Sequence, residues 1–351
     1  MNLMNLPNNE GLPVNNLAAC FNRTSATYKY YWFLSILQSL EEGNDKILKK
    51  NLFSRMISNA WFTVNYFHVS FGKQDQLQRA IKAIKEFELI TIDENNVFRK
   101  LINSTNPNTL TQLQYFDNQV PHWFLSPWFP KLQNETETQQ ARRIYADSSK
   151  SSNKSLYGLF DDRIEINTEW KDYLLSNAGI LKDFCYWNLA IYLQVKNPNV
   201  PDIPNKLIKP ALRNSLTKQR SKFWDLVINE LGFVECIYTG EKLTVGHYAV
   251  DHFIPFNFVS HDLIWNLIPA FPAYNSTKSD KLPIMKKHFD KFFILQKKAI
   301  EIVLSKTPSS KLLEEYYTIF PDLESSITKE KYSECLQPLI TIASNNGFEF
   351  L

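Results

Sequence analysis

The feature that most constrains this 351-residue chain is the stretch 250–283, VDHFIPFNFVSHDLIWNLIPAFPAYNSTKSDKLP, where two short apolar runs flank a polar loop and precede a polar, helix-compatible run. VGHYAVDHFIP reads as a strand with Tyr248 and Val250 on one face, and Ile254-Pro255 breaks its pairing just beyond Asp251 and His252. A loop through His261 and Asp262 follows. LIWNLIPA is a second strand, bounded by Pro269, in which Asn266 points opposite to Trp265 and Leu267. PAYNSTKSDKL reads as a short helix, with Pro272 suited to its first turn and Pro283 past its end. Asn275 and Lys278 are three residues apart and share a face of that helix. A helix closing over the hairpin would bring Asn275 beside Asp251.

Asp251, His252, Asn266 and Asn275, in this order and spacing, resemble the HNH (ββα-metal) endonuclease family, in an HNN variant similar to the HNH domain of CRISPR RNA-guided nucleases. CIYTGEKL, from Cys236 to Leu243, resembles the lead-in common in that family. The resemblance covers roughly residues 234–290. It implies that Asp251 and Asn275 bind one divalent cation, that His252 is the general base, and that Asn266 braces the loop behind His252. Two hard oxygen ligands suit Mg²⁺ or Mn²⁺, and a neutral imidazole accepts a proton near neutral pH. A helix-borne ammonium at Lys278, next to such a cation, is a candidate phosphate contact. Many family members also carry paired cysteines that bind zinc, but the comparable positions here are Phe271 and Tyr274, and Cys236 stands alone. No structural zinc is expected. Packing of Phe253, Ile254, Phe258, Trp265, Leu267 and Ile268 has to stabilise the motif instead.

Charge is unevenly spread although the net charge is only +3. Lys206, Lys209, Arg213, Lys218, Arg220 and Lys222 lie in an acid-free run just before the motif, either a DNA-backbone track or a solvated helix face. The cysteines at 20, 185, 236 and 335 are scattered, which fits a reducing, cytoplasmic setting. The first residues lack a basic start with an apolar core of secretory length, and YYWFLSIL is too short to span a bilayer, so no membrane role is expected.

The fold class expected is mainly α (α+β), with helical N-terminal and middle regions and a zinc-less ββα-metal nuclease domain near the C-terminus. Residues 50–64 place Phe53, Met56, Ile57, Ala60, Trp61 and Val64 on one helix face. DQLQRAIKAIKEF reads as a further helix, and LITIDENNVFRKLI as a hairpin turning at its ENN, which together suggest a winged-helix-like module over 1–133. The polar stretch 134–155 is the expected linker. A helical connector with the basic segment (156–230), the nuclease domain (231–290) and C-terminal helices (291–351) complete the expected organisation.

The function expected is metal-dependent DNA cleavage. The motif and the aromatic segments TSATYKYYWFL and AGILKDFCYWNLAIYLQVKNPNVPDIPNKL together resemble bacterial HNH proteins of restriction or antiphage defence. Two alternatives stay open: a weakly specific nuclease effector released by a partner protein, and a catalytically silent DNA-binding or scaffold protein with an HNH fold. One such site cuts one strand at a time, so double-strand cleavage calls for a homodimer, sequential nicking or a partner.

Overall fold

The computed structural model describes residues 6–22, 24–207, 215–323 and 326–351. It is mainly helical, with one three-stranded and two two-stranded sheets among the described residues. The chain divides into two units, 1–198 with 203–211 and 199–202 with 212–351. Among the described residues no helix is long and apolar enough to cross a membrane.

The first unit is built on α1 (Tyr28–Glu41), whose residues from Tyr30 to Leu37 are all buried, as a helix apolar on every side requires. Strand β1 (Lys46–Leu48) leads directly into α2 (Lys49–Asn65), and the face predicted for α2, Phe53, Met56, Ile57, Ala60, Trp61 and Val64, is buried. Asp75 caps α3 (Gln76–Phe87) by accepting the Leu77 N–H at 2.8 Å. The hairpin expected next does not form. Residues 88–96 are turns, and Val97 and Leu101, four apart, bury one side of a short helix, α4 (Val97–Asn103). The wing of a winged helix is therefore missing at that place.

The expected linker at 134–155 is also corrected. Thr136 and Gln139 form a reciprocal capping box at the start of α5 (Glu137–Asp147), which buries Gln140 and Ile144. Glu135 binds Arg143 through both oxygens, and Gln140 donates to the Phe129 carbonyl at 2.8 Å. Strands β2 (Tyr157–Leu159) and β3 (Arg163–Ile166) follow, and β3 lies between β1 and β2, antiparallel to both. After α6 (Thr168–Ser176), the long helix α7 (Ala178–Lys196) buries Leu181, Cys185, Leu189 and Leu193 along one side.

In the second unit a helix over 217–231 contains a π turn at Arg220–Trp224 and continues as α8 (Asp225–Leu231). A two-stranded ribbon, β4 (Val234–Glu235) with β5 (Lys242–Leu243), precedes the hairpin of β6 (Ala249–His252) and β7 (Leu267–Ala270). Asp251 faces Ile268 and His252 faces Leu267 in the antiparallel register. Helices α9 (Pro272–Lys278), α10 (Met285–Lys306) and α11 (Lys329–Asn345) complete the unit.

Two buried polar side chains hold the hairpin on these helices. Gln296 of α10 donates to the Leu267 carbonyl at 2.6 Å and the Ile264 carbonyl at 3.3 Å, and Tyr332 of α11 donates to the Trp265 carbonyl at 2.6 Å. Phe253 stacks on Phe292 with ring centroids 4.1 Å apart. Phe253, Ile254, Phe258, Trp265, Leu267 and Ile268 are all buried, so an apolar cluster packs around the motif. Beyond α9, Leu282 is buried and pairs with the chain's last residues: its N–H donates to Glu349 at 2.7 Å and its carbonyl accepts from Leu351 at 3.0 Å.

Candidate active site

Strand β6 delivers Asp251 and His252 at its end because Pro255 starts a short helical turn, Phe256–Val259, that cannot extend the ladder. Helix α9 begins with Pro272 and carries Asn275 back over the hairpin. Asp251, His252, Asp262 and Asn275 thereby line one cavity of about 310 Å³, with Asn257 and Ser276 also on its wall. The side chain of Asn275 makes no hydrogen bond to another described residue.

Asn266 is fully buried and makes a pair of hydrogen bonds with one residue. Its amide oxygen accepts the Ile254 N–H and its amide nitrogen donates to the Ile254 carbonyl, each at 2.9 Å. The backbone directly behind His252 is thus fixed by one side chain. The carbonyl of Asn266 takes the Phe253 N–H at 2.8 Å as well.

Asp251 is 4 % exposed, and both its oxygens have partners: Oδ1 accepts from Lys278 Nζ at 3.1 Å and Oδ2 from the Tyr238 hydroxyl at 2.7 Å. Lys278 is fully buried and donates also to the His252 carbonyl at 2.7 Å. The expected phosphate contact at Lys278 is therefore corrected: its three-residue spacing from Asn275 does put it on the inner side of α9, but its ammonium is spent on Asp251 and the chain behind the site. Tyr238 stacks on Tyr274 with ring centroids 5.1 Å apart. Burial, reinforced by the Asp251 charge, pushes the Tyr238 hydroxyl well above the usual phenol range, so it stays a proton donor to the carboxylate.

Asp262, a loop residue that the sequence reading gave no role, meets the imidazole. Its Oδ1 lies 2.9 Å from His252 Nε2, and both side chains are mostly buried. A carboxylate against one ring nitrogen fixes the ring and its tautomer. The signal for Asp262 in the sequence is only its position in the polar loop between the strands, and Tyr238 is equally silent, although it lies in the Cys236–Leu243 lead-in.

Of the six basic residues, four are described, and they divide between the two units. Lys206 belongs to the first unit and is fully buried, its ammonium 5.7 Å from the Phe67 ring centroid, so it is corrected from a DNA contact to a packed core cation. Lys209 and Arg213 lie outside the described residues. Lys218 and Lys222 are exposed on the helix of the second unit, and Arg220 is half-buried with its guanidinium 4.7 Å from the Tyr248 ring centroid.

Among the described residues no three His, Cys, Asp or Glu side chains converge as a metal cluster. Cys236 is buried, and its Sγ accepts the N–H of Phe271, the residue before α9, at 3.4 Å. The thiol thus anchors the start of the helix that carries Asn275.

Residues 236–284 match the family model of HNH endonucleases, so the chain carries an HNH domain near its C-terminal end. No curated protein and no solved structure matched the chain.

Proposed function

We propose that this protein is an endonuclease that hydrolyses DNA phosphodiester bonds with the help of a divalent cation, His252 acting as general base. The observation that carries this reading is one cavity lined by Asp251, His252 and Asn275, with Asp262 on the histidine ring. With Nε2–H donated to Asp262, Nδ1 keeps a lone pair and takes the proton of an attacking water. The water oxygen bonds to phosphorus, the bond to the 3′ oxygen breaks, and the products end in a 5′-phosphate and a 3′-hydroxyl. Asn266 contributes by holding Ile254, and through it the turn that follows the base.

The donor set fits a hard cation. Asp251 offers a carboxylate whose oxygens each keep a second lone pair beside their present partners, and Asn275 offers an amide oxygen that no described side chain occupies. Mg²⁺ or Mn²⁺ held by these two residues would stabilise charge on the scissile phosphate and the leaving oxygen.

A second reading, a nuclease released by a partner protein or signal, is favoured by the ion pair of Lys278 with Asp251, since a buried ammonium holds the carboxylate the cation needs. A defence or restriction role in the cytoplasm rests on the sequence resemblance alone. The third reading, a silent DNA-binding scaffold, is distinguished by experiment. Plasmid nicking with Mg²⁺, Mn²⁺ and EDTA, run beside DNA binding by the same preparation, tests all three. Binding without cleavage under every metal, in the absence and presence of cell extract, would reject the nuclease reading.

A further inference from the structure

With Lys278 engaged by Asp251 and the His252 carbonyl, the cavity has two carboxylates on its wall, Asp251 and Asp262, and no Lys or Arg among its described lining residues. A phosphate entering there needs hydrogen-bond donors besides the cation. Helix α9 and its end carry three aliphatic hydroxyls, at Ser276, Thr277 and Ser279. Ser276 donates to the Pro272 carbonyl at 3.2 Å and Thr277 to the Ala273 carbonyl at 3.0 Å, the back-bonding that such side chains make inside a helix. Ser279 lines the cavity, is exposed, and its hydroxyl has no partner among the described residues.

The backbone of Ser279 is the second observation. Its φ of 49° and ψ of −118° are the angles of the first central residue of a type II′ turn, which glycine adopts freely and a residue with a Cβ does not. The turn is closed by the Lys281 N–H on the Lys278 carbonyl at 3.0 Å, and the Ser279 N–H ends α9 on the Asn275 carbonyl at 3.1 Å. Glycine would make both of these backbone bonds equally well, so neither accounts for a serine here. Side chains held in such strained conformations gather at functional sites. We propose that the Ser279 hydroxyl is a substrate contact, donating to a non-bridging oxygen of the DNA phosphate that enters the cavity. The inference rests on the reading of this cavity as a phosphodiester site, and it gives Ser279 the contact that Lys278 is too deep to make. A hydrogen bond to a charged oxygen is worth about tenfold in affinity.

Ser279→Gly and Ser279→Ala test this in the full chain, because both remove the hydroxyl and only glycine relieves the backbone. In EDTA and without DNA, Ser279→Gly should raise the melting temperature by about 2–4 °C, while Ser279→Ala stays near the wild type. Both variants should bind a short DNA duplex about tenfold more weakly, measured with Ca²⁺ in place of Mg²⁺, and nick plasmid about tenfold more slowly with Mg²⁺. The more stable variant is thus expected to be as impaired as the other. A glycine variant that binds as well as the wild type, with or without a loss in the alanine variant, would overturn the proposal, since any effect would then follow the backbone and not the hydroxyl. A wild-type chain that binds no DNA would overturn it too. If the wild type binds DNA without nicking it under any metal, the nuclease reading fails, while a tenfold loss of affinity in both variants would still support the Ser279 contact.

Discussion

Asp262 holds the Nε2 atom of His252 at 2.9 Å from ten positions further along the chain, and both side chains line the same cavity. Asp262→Asn keeps the side chain's shape but removes the charge that selects the tautomer. Nicking by this variant should slow about 10- to 100-fold in kcat with KM little changed, the usual cost of losing such an orienting partner. His252→Ala should cost more, about 10² to 10⁴ in rate, with DNA affinity retained. Single-turnover rates and binding curves for the two variants check this, and equal rates for Asp262→Asn and the wild type would remove Asp262 from the mechanism.

The pair of Lys278 and Asp251 is buried on both sides, so breaking it strands a charge. Lys278→Met should lower stability by about 3–5 kcal/mol in EDTA, the typical cost of leaving one member of a buried pair. If Asp251 is a ligand, Mn²⁺ should return part of that loss by binding the folded form alone. Melting curves with and without Mn²⁺ measure both effects, and a deficit of the same size in each would argue against Asp251 as a ligand.

Asn266→Ala leaves the N–H and the carbonyl of Ile254 without partners in a fully buried place. The expected loss is about 1–3 kcal/mol for each group left unpaired, together with a drop in cleavage, while metal affinity changes less than in Asp251→Ala. Urea unfolding and metal titration of the same preparations separate the two contributions. A variant as stable as the wild type would show that water replaces the amide without cost.

His288 packs its ring against Tyr238, with centroids 5.2 Å apart, and both its ring nitrogens are buried without a hydrogen-bond partner. Burial, with the charges of Lys287, Lys291 and Lys278, lowers its pKa, so the folded chain keeps it neutral at a pH where the unfolded chain protonates it. Its contribution is therefore fully present above the unfolded value of about 6.5 and is lost as pH falls from there through the lowered folded value. His288→Phe should flatten the fall of the melting temperature below that pH and leave stability at pH 8 unchanged or higher. A steeper acid slope in the variant would reverse the sign assigned to this histidine.

The hairpin and helix of the HNH segment were legible because their signals are local. Pro255, Pro272 and Pro283 punctuate the chain, and Asp251, His252 and Asn275 sit at positions the punctuation fixes. The capping box of Thr136 and Gln139 was equally local, but a run of Ser, Asn and Thr hid it and suggested a linker. Ile90, Ile92 and Val97 alternate enough to imitate a hairpin, whereas the pairing that does form joins residues 46–48 to 163–166, a partnership that no window of sequence contains. The same distinction divides the site. Asn266 was readable as a brace from its position in the motif, while Asp262 has a role only because the loop folds back onto the ring, and the depth of Lys278 depends on Tyr238, forty residues before it.

The pairing of Leu282 with residues 349–351 ties the segment leaving α9 to a part of the chain nearly seventy residues further on. The amide of Leu282 is four residues beyond Lys278 and is sealed only while that short ladder holds. Hydrogen exchange at this single amide would therefore read out how often residues 349–351 let go, and with it how often the floor beneath Asp251 is free to rearrange.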